Sequence, residues 1–240
     1  MSTRPALTFA ALAVAAGLAA GRGDSIPLRA AAGWAALAFG LVALAYAGGG
    51  PALLGKRADG RRRPWAWPLL GPYFLLNALG LALFRWGERG PPLATVAPNL
   101  ALGRRLTARE ARRLGPGWVA VLDLAAEFAA VDPLRAAPGY RSLPVLDATA
   151  PGPADLADAV AWLGERTRLG PVYVHCALRH GRSATVAAAY LLATDPALTP
   201  EAAEAAVRAA RPGVRLNRDQ RARLGSYAAS LRDGLQRPGT

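Results

Sequence analysis

Three long stretches without a charged side chain occupy the first ninety residues, and they constrain the fold more than any other feature of the chain. They cover about residues 5–21, 30–50 and 65–84. A helix rises about 1.5 Å per residue, so about 20 apolar residues cross the hydrocarbon core of a bilayer. Soluble core helices rarely run that far uncharged, and we therefore predict an α-helical membrane region of two to three segments over residues 1–90. A signal-peptide core is the alternative for the first stretch, but Arg4 alone precedes it and its apolar run is long for that role.

The loop between the second and third stretches, residues 51–64, indicates the orientation of this region. It contains five cations and one anion, whereas the loop between the first two stretches contains only two cations and one anion. Cytoplasmic loops of membrane proteins carry an excess of Lys and Arg. We therefore predict that residues 51–64 are cytoplasmic and that the first two segments form a hairpin.

The third stretch decides on which side of the membrane the rest of the chain lies. It contains Pro68, Pro72 and Asn77, with aromatic side chains near both ends. A crossing helix would place everything after it outside, whereas an interfacial helix would leave it in the cytoplasm. We predict an interfacial segment, and hence a multi-pass protein of a bacterial-type inner or plasma membrane with a cytoplasmic C-terminal domain.

Residues 92–235 alternate short apolar runs with helical patterns. The runs typical of strands are Ala97–Leu102, Trp118–Leu124, Tyr140–Leu146 and Val172–Val174. Helices are predicted from a capping box at Thr107 and Glu110, and over Asp155–Arg168, Thr199–Arg211 and Asn217–Leu231. This alternation predicts an α/β domain with a central, mainly parallel sheet flanked by helices.

Composition excludes several classes of protein. One cysteine precludes a disulfide within the chain, and one cysteine with two histidines gives no zinc-site pattern, so we predict neither a metal nor a cofactor. The formal net charge of +13 suggests an anionic partner. Because no basic motif with interleaved aromatics is present, we predict a lipid bilayer rather than nucleic acid as that partner.

The single cysteine, Cys176, lies between the end of a predicted buried strand and a helix that begins near Arg182. In α/β proteins, ligands bind at the edge of the sheet where the strands have their carboxyl ends. Backbone N–H groups at a helix N-terminus converge on anions. The helix dipole and Arg182 favour the thiolate form of a cysteine placed there. Taken alone, however, a lone cysteine is more often a small buried apolar residue.

The surrounding residues favour a catalytic cysteine. His175 precedes it, Arg182 follows after five residues, and Ser183 comes next. This arrangement resembles the signature of the dual-specificity branch of the protein tyrosine phosphatase (cysteine phosphatase) superfamily. The resemblance extends through segments 98–103, 121–124, 143–147 and 211–217, with Gln220 just beyond, and leaves out the N-terminal ninety residues.

The resemblance implies a role for each of four side chains. Cys176 attacks phosphorus and forms a phosphocysteine intermediate. Arg182 binds two phosphate oxygens and the charge that develops on them. Asp147 protonates the leaving oxygen and later deprotonates water, with Asp155 or Asp158 as alternatives. Ser183 donates a hydrogen bond to the thiolate.

The resemblance also implies a phosphate-binding loop. Its backbone N–H groups belong to Ala177, Leu178, Arg179, His180, Gly181 and Arg182. His175 orders this loop, and Asp123 is structural. Two residues depart from the family pattern, because Arg179 stands where Gly is common and Gly181 where Ser is common.

These observations predict a membrane-anchored phosphatase that hydrolyses phosphomonoesters. Its substrate is either a phosphoprotein or an acidic phospholipid head group. Cations at Arg179 and His180 favour a highly charged substrate if they face it, and the alternative is that both are solvated residues at the rim of the loop. The alternative is a non-catalytic, membrane-tethered phosphate-binding module, a pseudophosphatase.

Overall fold

The computed structural model describes residues 3–88, 90–114, 117–178 and 181–236. The chain forms two compact units. The first contains the residues up to 89 together with 126–129, and the second contains residues 90–125 and those from 130 onward.

Three apolar helices dominate the first unit: α1 (Thr3–Arg22), α2 (Ile26–Leu44) and α3 (Ala66–Gly87). A π-helical turn, Ala45–Gly49, extends α2, and a short 3₁₀ helix, Pro51–Leu54, follows it. All three are long and apolar enough to cross a membrane. The apolar helical segments expected from the sequence are therefore present.

Aromatic contacts order the three helices against one another. The indole N–H of Trp34, in the first half of α2, donates to the carbonyl of Pro68 near the start of α3 (2.6 Å). The ring of Phe9 from α1 lies 5.7 Å from that of Tyr46, just past the end of α2, and 5.5 Å from that of Tyr73. Between Pro68 and Tyr73, the contacts of α3 thus follow the same order as the positions along α2, which differs from the order expected of an antiparallel pair.

The second unit is built on a five-stranded sheet with the strand order β1-β2-β5-β3-β4. The strands are β1 (Leu93–Ala97), β2 (Leu100–Gly103), β3 (Ala120–Ala125), β4 (Gly139–Val145) and β5 (Val172–His175). The helices are α4 (Ala108–Leu114), α5 (Asp132–Arg135), α6 (Pro153–Leu169), α7 (Gly181–Thr194), α8 (Pro200–Ala210) and α9 (Arg218–Gln236). Among the described strands of this sheet, only the β1–β2 pair is antiparallel, which confirms the predicted mainly parallel α/β sheet.

One predicted strand is wrong in detail. Residues 97–102 do not form one strand but the corner of the β1–β2 hairpin. Pro98 lacks an N–H for the ladder, and Asn99 adopts a left-handed backbone with φ of 58°. Asn tolerates that conformation better than most residues, so the Pro-Asn pair turns the chain.

The burial and parallel direction of the central strands determine where the predicted site residues lie. Every residue of β3 and β5 is buried, as expected of parallel strands covered on both faces. Strands β3, β4 and β5 run parallel, so their carboxyl ends meet at one edge of the sheet. Asp123 lies in the second half of β3, and Asp147 and Cys176 lie just beyond the ends of β4 and β5.

The predicted capping box at the start of α4 is present. The N–H of Thr107 donates to the Glu110 carboxylate (2.8 Å), and the N–H of Glu110 donates to the Thr107 hydroxyl (3.1 Å). Arg104 also donates to both carboxylate oxygens of Glu110, at 2.7 and 3.1 Å. Chiefly through the Arg104 hydrogen bond, and against the effect of burial, the pKa of Glu110 falls to about 2.

Replacing Glu110 with Gln is expected to lower the free energy of unfolding by about 1 kcal/mol at pH 7, since a charge-assisted but partly solvated interaction is lost. The folded-state pKa of Glu110 lies below its ordinary value of 4.5. Its contribution is therefore complete above pH 4.5 and is lost as the pH falls toward 2. Thermal unfolding of the full chain in detergent, followed by circular dichroism from about pH 2 to 7, measures both effects.

The control is Glu201→Gln, which changes an exposed carboxylate in the first turn of α8. Its stability should stay within about 0.5 kcal/mol of wild type. An E110Q chain with the acid sensitivity of wild type would contradict the assignment.

Candidate active site

The loop from Cys176 to Arg182 joins β5 to α7 at the centre of the sheet, because β5 lies between β2 and β3. Cys176 is buried, with 1% of its surface exposed. Of the predicted phosphate-binding residues, Ala177, Leu178, Gly181 and Arg182 are described, whereas Arg179 and His180 lie outside the described residues. The carbonyl of Ala177 accepts a hydrogen bond from the backbone N–H of Arg105 (3.1 Å).

Ser183 contacts the cysteine directly. Its hydroxyl donates to the Sγ atom of Cys176 at 3.4 Å, and the serine is fully buried in the first turn of α7. A hydroxyl in this position can stabilise negative charge on sulfur.

Arg182 connects the cysteine loop to the end of β4. It is buried, with 2% of its surface exposed. Its Nη1 donates to the carbonyl of Val145 (2.8 Å), and its Nη2 lies 3.0 Å from Oδ1 of Asp147. The guanidinium therefore has both a neutral and a charged acceptor at the carboxyl end of β4 and just beyond it.

Asp147 differs in its surroundings from the two alternative acids. Its side chain is 66% exposed and forms an ion pair with Arg182. Asp158 instead forms an ion pair with Arg141, and Asp155 lies in the first turn of α6. Of these three carboxylates, Asp147 is the one with a described contact to the arginine of the predicted site.

The loop after Asp147 is held from the start of α9, and sequence reasoning missed this. Ala148 has a left-handed backbone, with φ of 59°. The amide of Asn217 donates to the carbonyl of Ala148 (2.7 Å), and the amide of Gln220 donates to that of Thr149 (3.0 Å). The only sequence feature that pointed to these residues was the similarity of segment 211–220 to the family. That similarity does not indicate which residues Asn217 and Gln220 contact.

His175 lies under the cysteine loop. It is buried, with its Nδ1 3.1 Å from the carbonyl oxygen of Cys176 and its Nε2 3.9 Å from Oδ1 of Asp123. Its ring stacks on Tyr173 with 5.3 Å between centroids, and Tyr173 stacks on Trp118 at 5.4 Å. These contacts fix the imidazole against the first peptide of the loop.

Asp123 makes structural contacts at the end of β3. Oδ1 accepts from the N–H of Ala125 and Oδ2 accepts from the hydroxyl of Tyr140, both at 3.0 Å. Burial, followed by the charge of Asp123, raises the pKa of Tyr140, so its hydroxyl stays protonated and remains a donor. Within the described ranges, no group of three His, Cys, Asp or Glu side chains is arranged to hold a metal ion.

Comparison with known proteins identifies the domain. The family model described as "Swiss Army Knife protein, DSP-PTPase phosphatase domain" matches residues 112–229, which include Cys176, Arg182 and Asp147. The second unit is a phosphatase domain of the dual-specificity branch of the protein tyrosine phosphatase superfamily. This confirms the resemblance found in the sequence.

Solved structures of this superfamily share the fold of the phosphatase domain. Tk-PTP in its active form is 28% identical, with 58% of this chain and 97% of that chain covered and a TM-score of 0.53. A substituted form of human DUSP28 is 26% identical, with 60% and 99% covered and a TM-score of 0.51. PTPMT1 in complex with PI(5)P, at 21% identity, 60% and 99% coverage and a TM-score of 0.54, is similar in fold alone. No curated protein sequence matches the chain.

Proposed function

We propose that the chain is a membrane-anchored phosphatase that hydrolyses phosphomonoesters through a phosphocysteine intermediate. The observation that carries the proposal is the buried group of Cys176, Ser183 and Arg182, with Asp147 at the guanidinium, within a phosphatase domain. Its substrate is a phosphoprotein or an acidic phospholipid head group. Exposed cations on one face of α4, at Arg109, Arg112 and Arg113, favour a substrate at an anionic surface.

In the first step the thiolate of Cys176 attacks phosphorus, and the bond from phosphorus to the leaving oxygen breaks. Asp147 donates a proton to that oxygen, so that an alcohol leaves rather than an alkoxide. The guanidinium of Arg182 binds two of the remaining phosphate oxygens and neutralises the charge that develops on them.

In the second step water attacks the phosphorus of phosphocysteine, and the sulfur–phosphorus bond breaks. Asp147, now a carboxylate, accepts a proton from the water. The hydroxyl of Ser183 donates to the departing sulfur and stabilises the thiolate. Inorganic phosphate leaves, and the starting protonation states are restored.

The Cys176→Ser chain is expected to lose all measurable turnover of a small aryl phosphate, because an alcohol is a much weaker nucleophile than a thiolate. The measurement compares wild-type and variant full chains in detergent micelles. Ser230→Ala, which removes an exposed hydroxyl on α9, is the control and should retain wild-type turnover. Phosphotyrosine peptides and vesicles containing a phosphatidylinositol phosphate then separate the two substrate classes.

A folded wild-type chain that binds vanadate but turns over none of these substrates would contradict the proposal. That outcome would favour the tethered phosphate-binding module.

Asp147→Asn is expected to slow phosphoryl transfer from an alkyl phosphate by about 10²–10⁴, because the leaving alkoxide then receives no proton. A nitrophenyl phosphate, whose leaving group needs no proton, should be affected far less. Single-turnover rates on both substrates measure the difference. Asp155→Asn and Asp158→Asn are matched controls, and a larger loss in either of them would move the acid to that residue.

We also propose that the phosphatase domain lies in the cytoplasm. The basic loop 51–64 supports a cytoplasmic end for α2 and a cytoplasmic start for α3. A helix that returned across the bilayer would run antiparallel to α2, whereas the contacts of Trp34 and Phe9 meet α3 in the opposite order. This order favours an α3 that lies along the cytoplasmic interface.

Reporter fusions at the C-terminus test the side of the membrane. A green fluorescent protein fusion to the full chain should fluoresce in a bacterial host, whereas an alkaline phosphatase fusion should be inactive. The opposite pair of results would place the domain outside and make α3 a third crossing.

A further inference from the structure

The N-terminus of α9 carries two amide side chains that each make two kinds of hydrogen bond. Oδ1 of Asn217 accepts from the N–H of Gln220 (2.9 Å), and Oε1 of Gln220 accepts from the N–H of Asn217 (3.0 Å). This reciprocal pair is a capping box, which satisfies two backbone donors at the helix start. The oxygen of each amide is thereby used at the start of α9 itself.

The nitrogen of each amide donates a hydrogen bond outside α9, to the loop that follows Asp147. Nδ2 of Asn217 donates to the carbonyl of Ala148, and Nε2 of Gln220 donates to that of Thr149. These are the first and second residues after Asp147. Gln220 is buried, with 2% of its surface exposed, so its bond to Thr149 is partly shielded from water.

The loop that receives these bonds has a backbone that needs support. Ala148 is in the left-handed region, which is unfavourable for a residue with a Cβ atom. The side chain of Asp147 is mostly exposed, and its described contact is the ion pair with Arg182. Hydrogen bonds to two successive carbonyls therefore hold the backbone in the conformation that brings Asp147 to Arg182.

Gln220 also lies against the phosphate loop. A Cβ atom at Gly181 would approach Oε1 of Gln220 to 2.7 Å, closer than real Cβ contacts. A side chain at this position would therefore displace the amide of Gln220. Glycine, which directly precedes Arg182, leaves room for that amide. This gives a physical reason for Gly181 at a position where the family commonly has Ser.

We propose that Asn217 and Gln220 are positioning residues that hold the general-acid loop against the phosphate loop. They act through the carbonyls of Ala148 and Thr149 and do not touch the reacting atoms. Their role is to present the carboxyl of Asp147 to the leaving oxygen. The inference rests on the proposed function, because it concerns the same reaction.

Three substitutions separate this role from helix capping. Asn217→Asp keeps the oxygen that accepts from Gln220 and removes the N–H₂ that donates to Ala148, and Asn217→Ser does the same without adding a charge. Gln220→Glu likewise keeps the acceptor for Asn217 and removes the donor to Thr149. Asp219→Asn, at an exposed position in the same turn, is the control.

The experiment measures kcat and KM of the full chain in detergent on aryl and alkyl phosphates whose leaving groups become progressively poorer. Asn217→Ser and Gln220→Glu should lower kcat at least about tenfold on an alkyl phosphate and less than about threefold on nitrophenyl phosphate. The Asn217→Ser chain should keep a KM and a melting temperature near wild type, whereas Gln220→Glu places a carboxylate at a buried position and should also lower the melting temperature. Combining Asn217→Ser with Asp147→Asn should add no further loss, because both changes remove the same proton transfer.

An equal loss on every substrate, or a further loss in the double variant, would overturn the inference. If Asp147→Asn shows the leaving-group dependence and the Asn217 and Gln220 variants do not, the inference fails while the proposed function stands. A wild-type chain without turnover overturns both.

Discussion

The packing of the phosphatase domain around its candidate site depends on the guanidinium of Arg182, which is buried away from water. Arg182 is almost fully buried, and a buried cation is costly unless charged and polar groups surround it. Its described acceptors come from Val145 and Asp147, so the end of β4 and the residues just after it lie against the start of α7. The same packing brings a carboxylate beside the cysteine loop. The same contacts therefore stabilise the buried guanidinium and bring the residues of the proposed site together.

Sequence patterns predicted those parts of the structure that depend on local or repeated features. The spacing of Cys176 and Arg182 marked the strand–loop–helix unit, and the alternation of strands and helices predicted the α/β sheet. The capping box at Thr107 was recognised because its two residues are three positions apart. By contrast, the hairpin corner at Asn99 was missed, because its apolar neighbours on both sides resemble one continuous strand.

Contacts between distant residues could not be predicted in this way. Asn217 and Ala148 are 69 positions apart, and no periodicity in the chain relates them. The direction of α3 presents a similar problem, since hydropathy identifies an apolar helix but does not indicate its neighbours. The direction of α3 is seen only from the positions at which Trp34 and Phe9 contact this helix. These contacts support the proposed side of the membrane, which composition alone left between two alternatives.

The solitary cysteine has a consequence for oxidative damage. A thiolate that peroxide converts to sulfenic acid is commonly protected by a second thiol that closes a disulfide. These 240 residues contain no second cysteine, so Cys176 has no such partner within them. A backbone nitrogen could protect an oxidised Cys176 as a sulfenamide, but its recovery would require an external thiol as reductant. Otherwise oxidation would proceed to the irreversible sulfinic and sulfonic acids.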